Sequence, residues 1–591
     1  MHPDSQYRLR LLKDLVCIFV TPAAVLSTGL RLANVRLGIL VAPAYVLCTF
    51  AWVCGTSLYF DSINRREAQR LGARPIPQVV GKWPGNVDIL LRMLKTIPTS
   101  YYGSFYLSLF EEYHSTTLNL KLLWRDMIIT MDSEHSKYIL STGFSHFWRG
   151  RRQKERFETF LGEGIFNRDD QVWKTHRALA RPFFARDRIT DFETFEKYTH
   201  KTLTLMSSLS SAHKPIEVQD LYARFTLDAA SEFLFGQPMD TLSGKLPVAG
   251  QTRLSAKGSA TEDDFGSFAQ AFEAVQTIVT VRARRGYFWP VWELPGDEAL
   301  PHVAIISRWL EPVVQRALAN KSDMKSAGLT SSVGQGTFLE YLADQTEDPK
   351  VIQDQLLNIL LASRDTTATL LTYATYFLAE HPEVLTRLRA EVIEHCGTNK
   401  PPTFENIKAM RYLRAVINET LRLFPPVPLN TRESRSEPCV FPKSDRTYAE
   451  SEQPLYVPAN TLIMTVSFLQ HRNPALWGPD ADVFDPDRWL DARLSRFTAN
   501  PLMYTPFSAG PRICIGQNYA LNEASCFLAR LLQQFDSIIL ATDAQPAESL
   551  PPPEWKRGTG RQAVEKIWPG AALTAYIKGG LWVRFMKVEE H

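Results

Sequence analysis

The sequence predicts a mainly α-helical protein in which a membrane anchor precedes one large body. Three observations carry that expectation. The uncharged run GILVAPAYVLCTFAWVCGTSLYF, residues 38–60, has the roughly 20 apolar residues that a bilayer span requires. Apolar residues at helical spacing recur over 349–380, 410–424 and 519–535. From residue 91 to 591, no second Pro/Gly-rich boundary, internal repeat or long low-complexity tract divides the chain.

Composition narrows the function classes. At 45% hydrophobic and 22% charged, the 591 residues are too apolar for disorder, although a length prior of about 150 residues per domain would suggest about four domains. The 66 basic and 63 acidic residues leave a formal charge of +3, too little field to argue for nucleic acid as a partner. Seven cysteines cannot frame so long a chain with disulfides, and they point to free thiols in a reducing compartment.

Residues 1–60 form the expected anchor, with the span at 38–60. A second apolar segment, 15–30, contains Pro22 and lies between Arg8, Arg10 and Lys13 on one side and Arg31 and Arg36 on the other. It fits a second span, a re-entrant stretch or an interfacial helix. Arg65, Arg66 and Arg70 favour the cytoplasmic side for everything that follows the 38–60 run. No small-x-small site ends the first run, which argues against a cleaved signal peptide. Residues 61–90 contain Gly72-Ala73-Arg74-Pro75-Ile76-Pro77 and Lys82-Trp83-Pro84-Gly85, a stiff hinge leading to the body at 91–591. Within the body, 242–264, 321–335, 433–453 and 542–562 read as loops.

The 349–380 run is long enough, at about 45 Å of helix, to cross a whole domain. In its middle stands Ala362-Ser363-Arg364-Asp365-Thr366-Thr367, where an acid beside a hydroxyl is costly in apolar surroundings unless it has a task. In the 410–424 helix, ended by Pro425 and Pro426, Glu419 and Arg422 are three residues apart and share a face. The most informative segment is Phe507-Ser508-Ala509-Gly510-Pro511-Arg512-Ile513-Cys514-Ile515-Gly516, which opens the last apolar helix. A thiol at a helix entrance has its pKa lowered by unpaired backbone N–H groups, which suits a metal-bound sulfur. Gly510 permits a turn closed to other residues, Gly516 allows close approach of a flat ligand, and Arg512 supplies a cation.

Phe-x-x-Gly-x-Arg-x-Cys-x-Gly resembles the haem-ligand signature of the cytochrome P450 family. The resemblance extends from about residue 72 to the C-terminus, and it implies a mainly α fold with small β-sheets. It implies haem b with Cys514 as the axial iron ligand. Glu419-Thr420-Leu421-Arg422 and Phe484-Asp485-Pro486-Asp487-Arg488 match further family motifs, so Glu419, Arg422 and Arg488 are implied to form a buried network bracing the cysteine loop. The motif around Asp365 and Thr366 implies a proton relay on the distal side of the haem, with Ser363 standing where Gly is usual. Trp173-Lys174-Thr175-His176-Arg177 resembles the Trp-x-x-x-Arg motif, which implies Trp173 and Arg177 as propionate partners, with Arg432 for the other propionate.

A membrane-bound monooxygenase of this kind takes NADPH-derived electrons from a reductase, because the chain holds no nicotinamide or flavin fingerprint of its own. The resemblance implies NADPH-cytochrome P450 reductase, with cytochrome b5 as a further candidate donor, and residence in the endoplasmic reticulum membrane with the haem domain facing the cytosol. The substrate would be lipophilic, lined by 144–150, 265–288, 360–364, 427–430 and 571–574. The overall likeness is to fungal alkane and fatty-acid hydroxylases, especially those of basidiomycetes. The alternatives are a tailoring oxidase of terpenoid or other secondary metabolism, a peroxide-rearranging relative, and a non-catalytic haem-thiolate sensor or carrier. An intact acid-alcohol pair favours oxygen activation over the last two.

Overall fold

Helix Pro349–Glu380 is the axis of the body. The side chain of Asp348 caps its start by accepting from the Lys350 N–H, and Pro349 occupies the first turn, where no donor is needed. Pro382, two residues past its end, cannot continue it. The helix is buried along most of its length, which explains why its sequence lacks a polar stripe. Its first half, Leu356 to Leu361, packs with helices Asp264–Arg284 and Leu300–Ser326. Its second half, Leu370 to Leu378, packs in a larger core with Val218–Phe235, Arg411–Leu423 and Gln517–Gln534. This computed structural model describes residues 3–185, 192–255, 257–260, 264–326, 336–444 and 453–587, with side chains at all of these except 3–6, 264–266 and 323–326.

A five-stranded sheet lies beside the helical mass, in the order Thr117–Asn119, Met127–Thr130, Leu462–Thr465, Asn430–Ser434, Phe147–Trp148. Its Met127–Thr130 and Leu462–Thr465 pair is parallel, and the other pairs are antiparallel. The register opposes Trp148 to Glu433 and Arg432 to Ile463. Arg149, the first residue beyond the short strand, is thereby brought beside Arg432. A hairpin of Pro569–Ala571 and Ala575–Ile577 turns at Ala572–Thr574.

At the N-terminus, Val41–Arg70 is one helix, so the first ten residues of the expected hinge, 61–70, continue the helix that the apolar run begins, and irregular backbone begins at Leu71. The 15–30 segment is helical too, through a π-turn at Val16–Val20 and the helix Thr21–Leu32. Among the described residues, Tyr7–Leu32 and Gly38–Arg70 are long and apolar enough to cross a membrane.

Two of the expected loops differ from expectation. Residues 321–326 extend helix Leu300–Ser326, and 433–434 and 439–441 are strand residues. Strands this short leave no period to read from sequence. Residues 256, 261–263, 327–335 and 445–452 of the expected loops lie outside the described residues.

Phe377 ties the axis to the segment that carries Arg488. Its ring stacks on Phe484 at 4.1 Å between centroids and approaches Phe424 at 5.8 Å. Phe377→Ala is expected to destabilise the body by about 3–5 kcal/mol, read as a lowered denaturation midpoint of the purified protein.

Candidate active site

The described body contains a cavity of about 1530 Å³, and Cys514 is on its wall. The cysteine loop is shaped by its backbone. Gly510 has φ +64, and a Cβ there would sit 1.9 Å from the Leu140 carbonyl oxygen, so no other residue fits. The Cys514 N–H donates to the Phe507 carbonyl at 2.9 Å. Gly516 has no such backbone demand, and a Cβ there would meet Phe184 at 3.5 Å and the Cys514 Sγ at 4.0 Å. Its missing side chain leaves room on the cavity side, where Phe507, Arg512 and Gly516 all face.

The thiol corrects one expectation. Burial pushes Cys514 up, against the downward pulls of the Gly516 N–H and Arg177. Its free surface is cavity surface deep within the protein, so the helix entrance alone does not make it a thiolate; a metal must do so.

Around this loop the protein concentrates positive charge. Arg512 donates to Asp169 at 2.8 Å and stacks over Trp173 at 4.3 Å, with its Nε lacking a partner. Arg149 and Arg177 line the cavity, and the Arg149 Nε is likewise without a partner. Arg432 is fully buried and lies behind the wall, donating to the Asn430 side chain at 3.2 Å and the Thr431 carbonyl at 2.8 Å. Burial and then mutual repulsion hold Arg432 and Arg512 down to about 9 and Arg149 well below its usual range. Asp169 is the carboxylate among them. Against the upward push of its own burial, the Arg149 N–H, Lys154 and Arg512 keep it low.

Guanidinium groups do not give up their protons, so this cluster is a standing demand for more negative charge. A planar macrocycle bearing two propionates and an iron for Cys514 meets that demand, and the residues present fit haem. Trp173 serves it by supporting Arg512, and Arg177 lies 5.9 Å over the same indole. Arg149 was expected on the substrate wall and not as a propionate partner. It follows Trp148 in a run of arginines, and the strand pairing of Trp148 with Glu433 sets it beside Arg432.

The opposite wall includes Ala362, Ser363, Thr366 and Thr367. Helix Pro349–Glu380 stays α-helical here, and the Thr366 hydroxyl donates back to the Ala362 carbonyl at 2.6 Å. Asp365 points away from the cavity. It accepts from Arg364 at 2.7 Å and lies 3.9 Å from the Lys257 Nζ, which in turn donates to Gln276 at 2.7 Å. Lys257 comes from a stretch read as loop and carried no sequence signal. Of the expected substrate walls, Arg149, Val279 to Phe288 in part, Leu361 to Ser363, Val427 to Asn430 and Ala571 to Thr574 line the cavity; the rest of 144–150, Leu360 and Arg364 do not. The Phe265 side chain lies outside the described ones. Tyr101 to Tyr106 and Phe468 line it as well, without having been anticipated.

Beneath the cysteine loop lies the carboxylate network. Arg422 grips Glu419 with two hydrogen bonds, of 2.9 and 2.8 Å, and both side chains are fully buried. Glu419 also accepts from the Trp489 indole at 3.0 Å and the Asp485 N–H at 3.1 Å, whereas Arg488 approaches at 3.4 Å. Arg422 further donates to the carbonyls of His471, Ala481 and Val483. The His471 Nε2 accepts from the Thr505 N–H at 2.8 Å, two residues before Phe507. The network thus reaches the cysteine loop through one imidazole. Arg422 is its principal cation; Arg488 mainly anchors Asp480 and the Trp477 carbonyl.

A helical body whose one cysteine-bearing loop meets a cation cluster and a long helix across a cavity defines a haem-thiolate enzyme. The Cytochrome P450 family model matches residues 84–554. Cytochrome P450 52E2 of Candida apicola is 34% identical over 485 residues, 82% of this chain and 89% of that protein. Cytochrome P450 monooxygenase himC of Aspergillus japonicus is 36% identical over 436 residues, 74% of this chain and 73% of its own. Cytochrome P450 52A6 of Candida tropicalis is 32% identical over 503 residues, 83% of this chain and 90% of its own. The chain belongs to the cytochrome P450 family and is a P450 monooxygenase.

Two outcomes follow from the network. Arg422→Ala leaves a buried carboxylate without its main partner and is expected to cost about 3–5 kcal/mol with loss of haem, while Arg488→Ala costs clearly less. Thermal unfolding with haem absorbance checks the order, and the reverse order would make Arg488 the principal partner. Burial, then repulsion from Arg422, lowers His471 from 6.5 to about 3. Between those values the unfolded chain binds the proton and the folded one does not, so stability is full above about 6.5 and falls as pH drops toward 3. His471→Gln should flatten that part of the stability-pH curve, measured by denaturation midpoints across pH.

Proposed function

We propose that the protein is a membrane-anchored haem-thiolate monooxygenase that hydroxylates a long lipophilic substrate such as a fatty acid or alkane. The observation that carries this reading is the cavity with Cys514 on one wall and Ala362, Ser363, Thr366 and Thr367 on another. Leu361, Leu429 and Leu573 supply apolar lining, and Arg125, Arg152 and Arg284 belong to the same cavity, which supports a chain with an anionic end.

When bound, the haem supplies dioxygen activation, favoured by electron donation from its thiolate ligand. The chain's part is to hold and to relay. Cys514 holds the iron, Arg149, Arg177 and Arg512 receive the propionates with Arg432 behind them, and the apolar walls exclude water from the reacting C–H bond. The Thr366 hydroxyl serves as the proton station on the cavity wall. Asp365 is the station behind it, and its Oδ2 has no hydrogen-bond partner. Delivery requires Thr366 to leave the Ala362 carbonyl and Asp365 to loosen from Arg364, with water between them. Electrons come from NADPH through NADPH-cytochrome P450 reductase, with cytochrome b5 as a further donor, in the endoplasmic reticulum membrane with the body in the cytosol.

The test is incubation of the haem-loaded protein with that reductase, NADPH and separate long-chain fatty acids and alkanes. Products heavier by one oxygen atom are expected. NADPH consumption without oxygenated product in either class would overturn the substrate reading.

A further inference from the structure

The N-terminal segment does more than precede the anchor. Helix Pro3–Leu15 is docked on the body. Tyr7 and Leu11 are 3% and 2% exposed, and the Tyr7 ring lies 4.9 Å from that of the buried Trp289. Arg10 donates to Glu155 at 2.7 Å and sits 4.4 Å over the Tyr287 ring, which lines the cavity. The side chains of Arg10 and Glu155 are only 9% and 7% exposed, so this is a largely desolvated pair rather than a surface ion pair.

Beyond this helix the chain makes a hairpin. Helix Thr21–Leu32 ends in a left-handed Asn34, with the Val35 N–H bonding back to the Leu30 carbonyl, a strong helix stop. The chain then reverses into Val41–Arg70. The two legs lie side by side, with the Tyr45 hydroxyl on the Phe19 carbonyl at 2.9 Å and the Cys48 thiol near the Pro22 carbonyl at 3.6 Å. The Thr21 hydroxyl donates to the Val16 carbonyl at 3.3 Å, beside the Thr21 N–H that bonds the same carbonyl in the π-turn. Outward-facing residues are apolar on both legs: Phe19, Val20 and Val25 on the first, Val46, Leu47 and Leu58 on the second. The second leg re-enters the body where Asp61 pairs with Lys121 and Ala68 is fully buried.

We infer that the anchor is a two-span hairpin whose N-terminus lies on the same side of the membrane as the body. This rests on the membrane-anchored reading above. If the 38–60 leg crosses the bilayer, the turn at 33–37 is on the far side, and the first leg has to cross back for Arg10 to reach Glu155. At 1.5 Å per residue, residues 15–32 span about 27 Å and 38–60 about 35 Å, each long enough for a hydrocarbon core of about 30 Å with modest adjustment. Charge agrees. Arg8, Arg10 and Lys13 before the first leg and Arg65, Arg66 and Arg70 after the second lie at the body end, against Arg31 and Arg36 at the turn.

The test is topology mapping of the full chain in sealed microsomes. An N-glycosylation acceptor on a flexible spacer is inserted at the 33–37 turn in one version, and an epitope is fused to the N-terminus in another. Glycosylation of the turn and protease removal of the N-terminal epitope from intact vesicles are expected. An N-terminal epitope protected until detergent is added would overturn the hairpin. So would an unglycosylated turn in protein that resists alkaline carbonate. Release of the untagged chain by carbonate would overturn the membrane-anchored reading itself. The epitope version leaves the hairpin sequence intact, so failure of the turn insertion to fold does not spare the inference.

Discussion

Glu419 is the group on which the active region depends. A carboxylate at zero exposure is a severe cost unless fully answered, and here two guanidiniums, an indole and a backbone N–H answer it. Those partners come from helix Arg411–Leu423 and from the irregular stretch at 471–489, which has little regular structure of its own. The carboxylate thereby fixes a region of loops as firmly as a core would. His471 extends the same constraint to Thr505, and so to the loop presenting Cys514. The position of the sulfur is set by a charge some distance behind it.

On the cavity side the logic is reversed. There the protein does not satisfy its charges but leaves them wanting. Arg149 and Arg512 each keep a buried Nε without a partner, as does Arg432 behind them, and Asp169 is shared among several cations. Such a site carries electrostatic cost until an anionic ligand enters, so cofactor binding and the stability of this region are linked. The sheet register delivers the arrangement, since pairing Trp148 with Glu433 sets Arg149 beside Arg432.

What could be read in advance follows from how local each signal was. Cys514, Gly510 and Arg512 stand within five residues of one another, and Glu419 and Arg422 one turn apart, so their relation is written in short spacing. The bounds of helix Pro349–Glu380 were legible because a proline cap and a long apolar run mark it. Lys257, His471 and the place of Arg149 among the cations near Cys514 were not legible. Each acquires its role from a partner far along the chain, through strand pairing, loop packing or a backbone contact that no periodicity encodes. Thr366 and Asp365 were identified by type, yet their resting partners, the Ala362 carbonyl and Arg364, are products of side-chain orientation.

The docked helix Pro3–Leu15 also bears on how the enzyme can be handled. Cutting the chain back to the body would take away Tyr7, Arg10 and Leu11 together with the apolar legs. Trp289 would lose its aromatic neighbour, Glu155 its largely buried cation, and Tyr287, on the cavity wall, one of the three guanidiniums stacked around it. Solubility gained by losing the apolar legs would be partly offset by a newly bare aromatic patch. A shortened form that keeps residues 3–15 tethered, or replaces that patch with polar side chains, would preserve the frame of the cavity that the full chain holds in place.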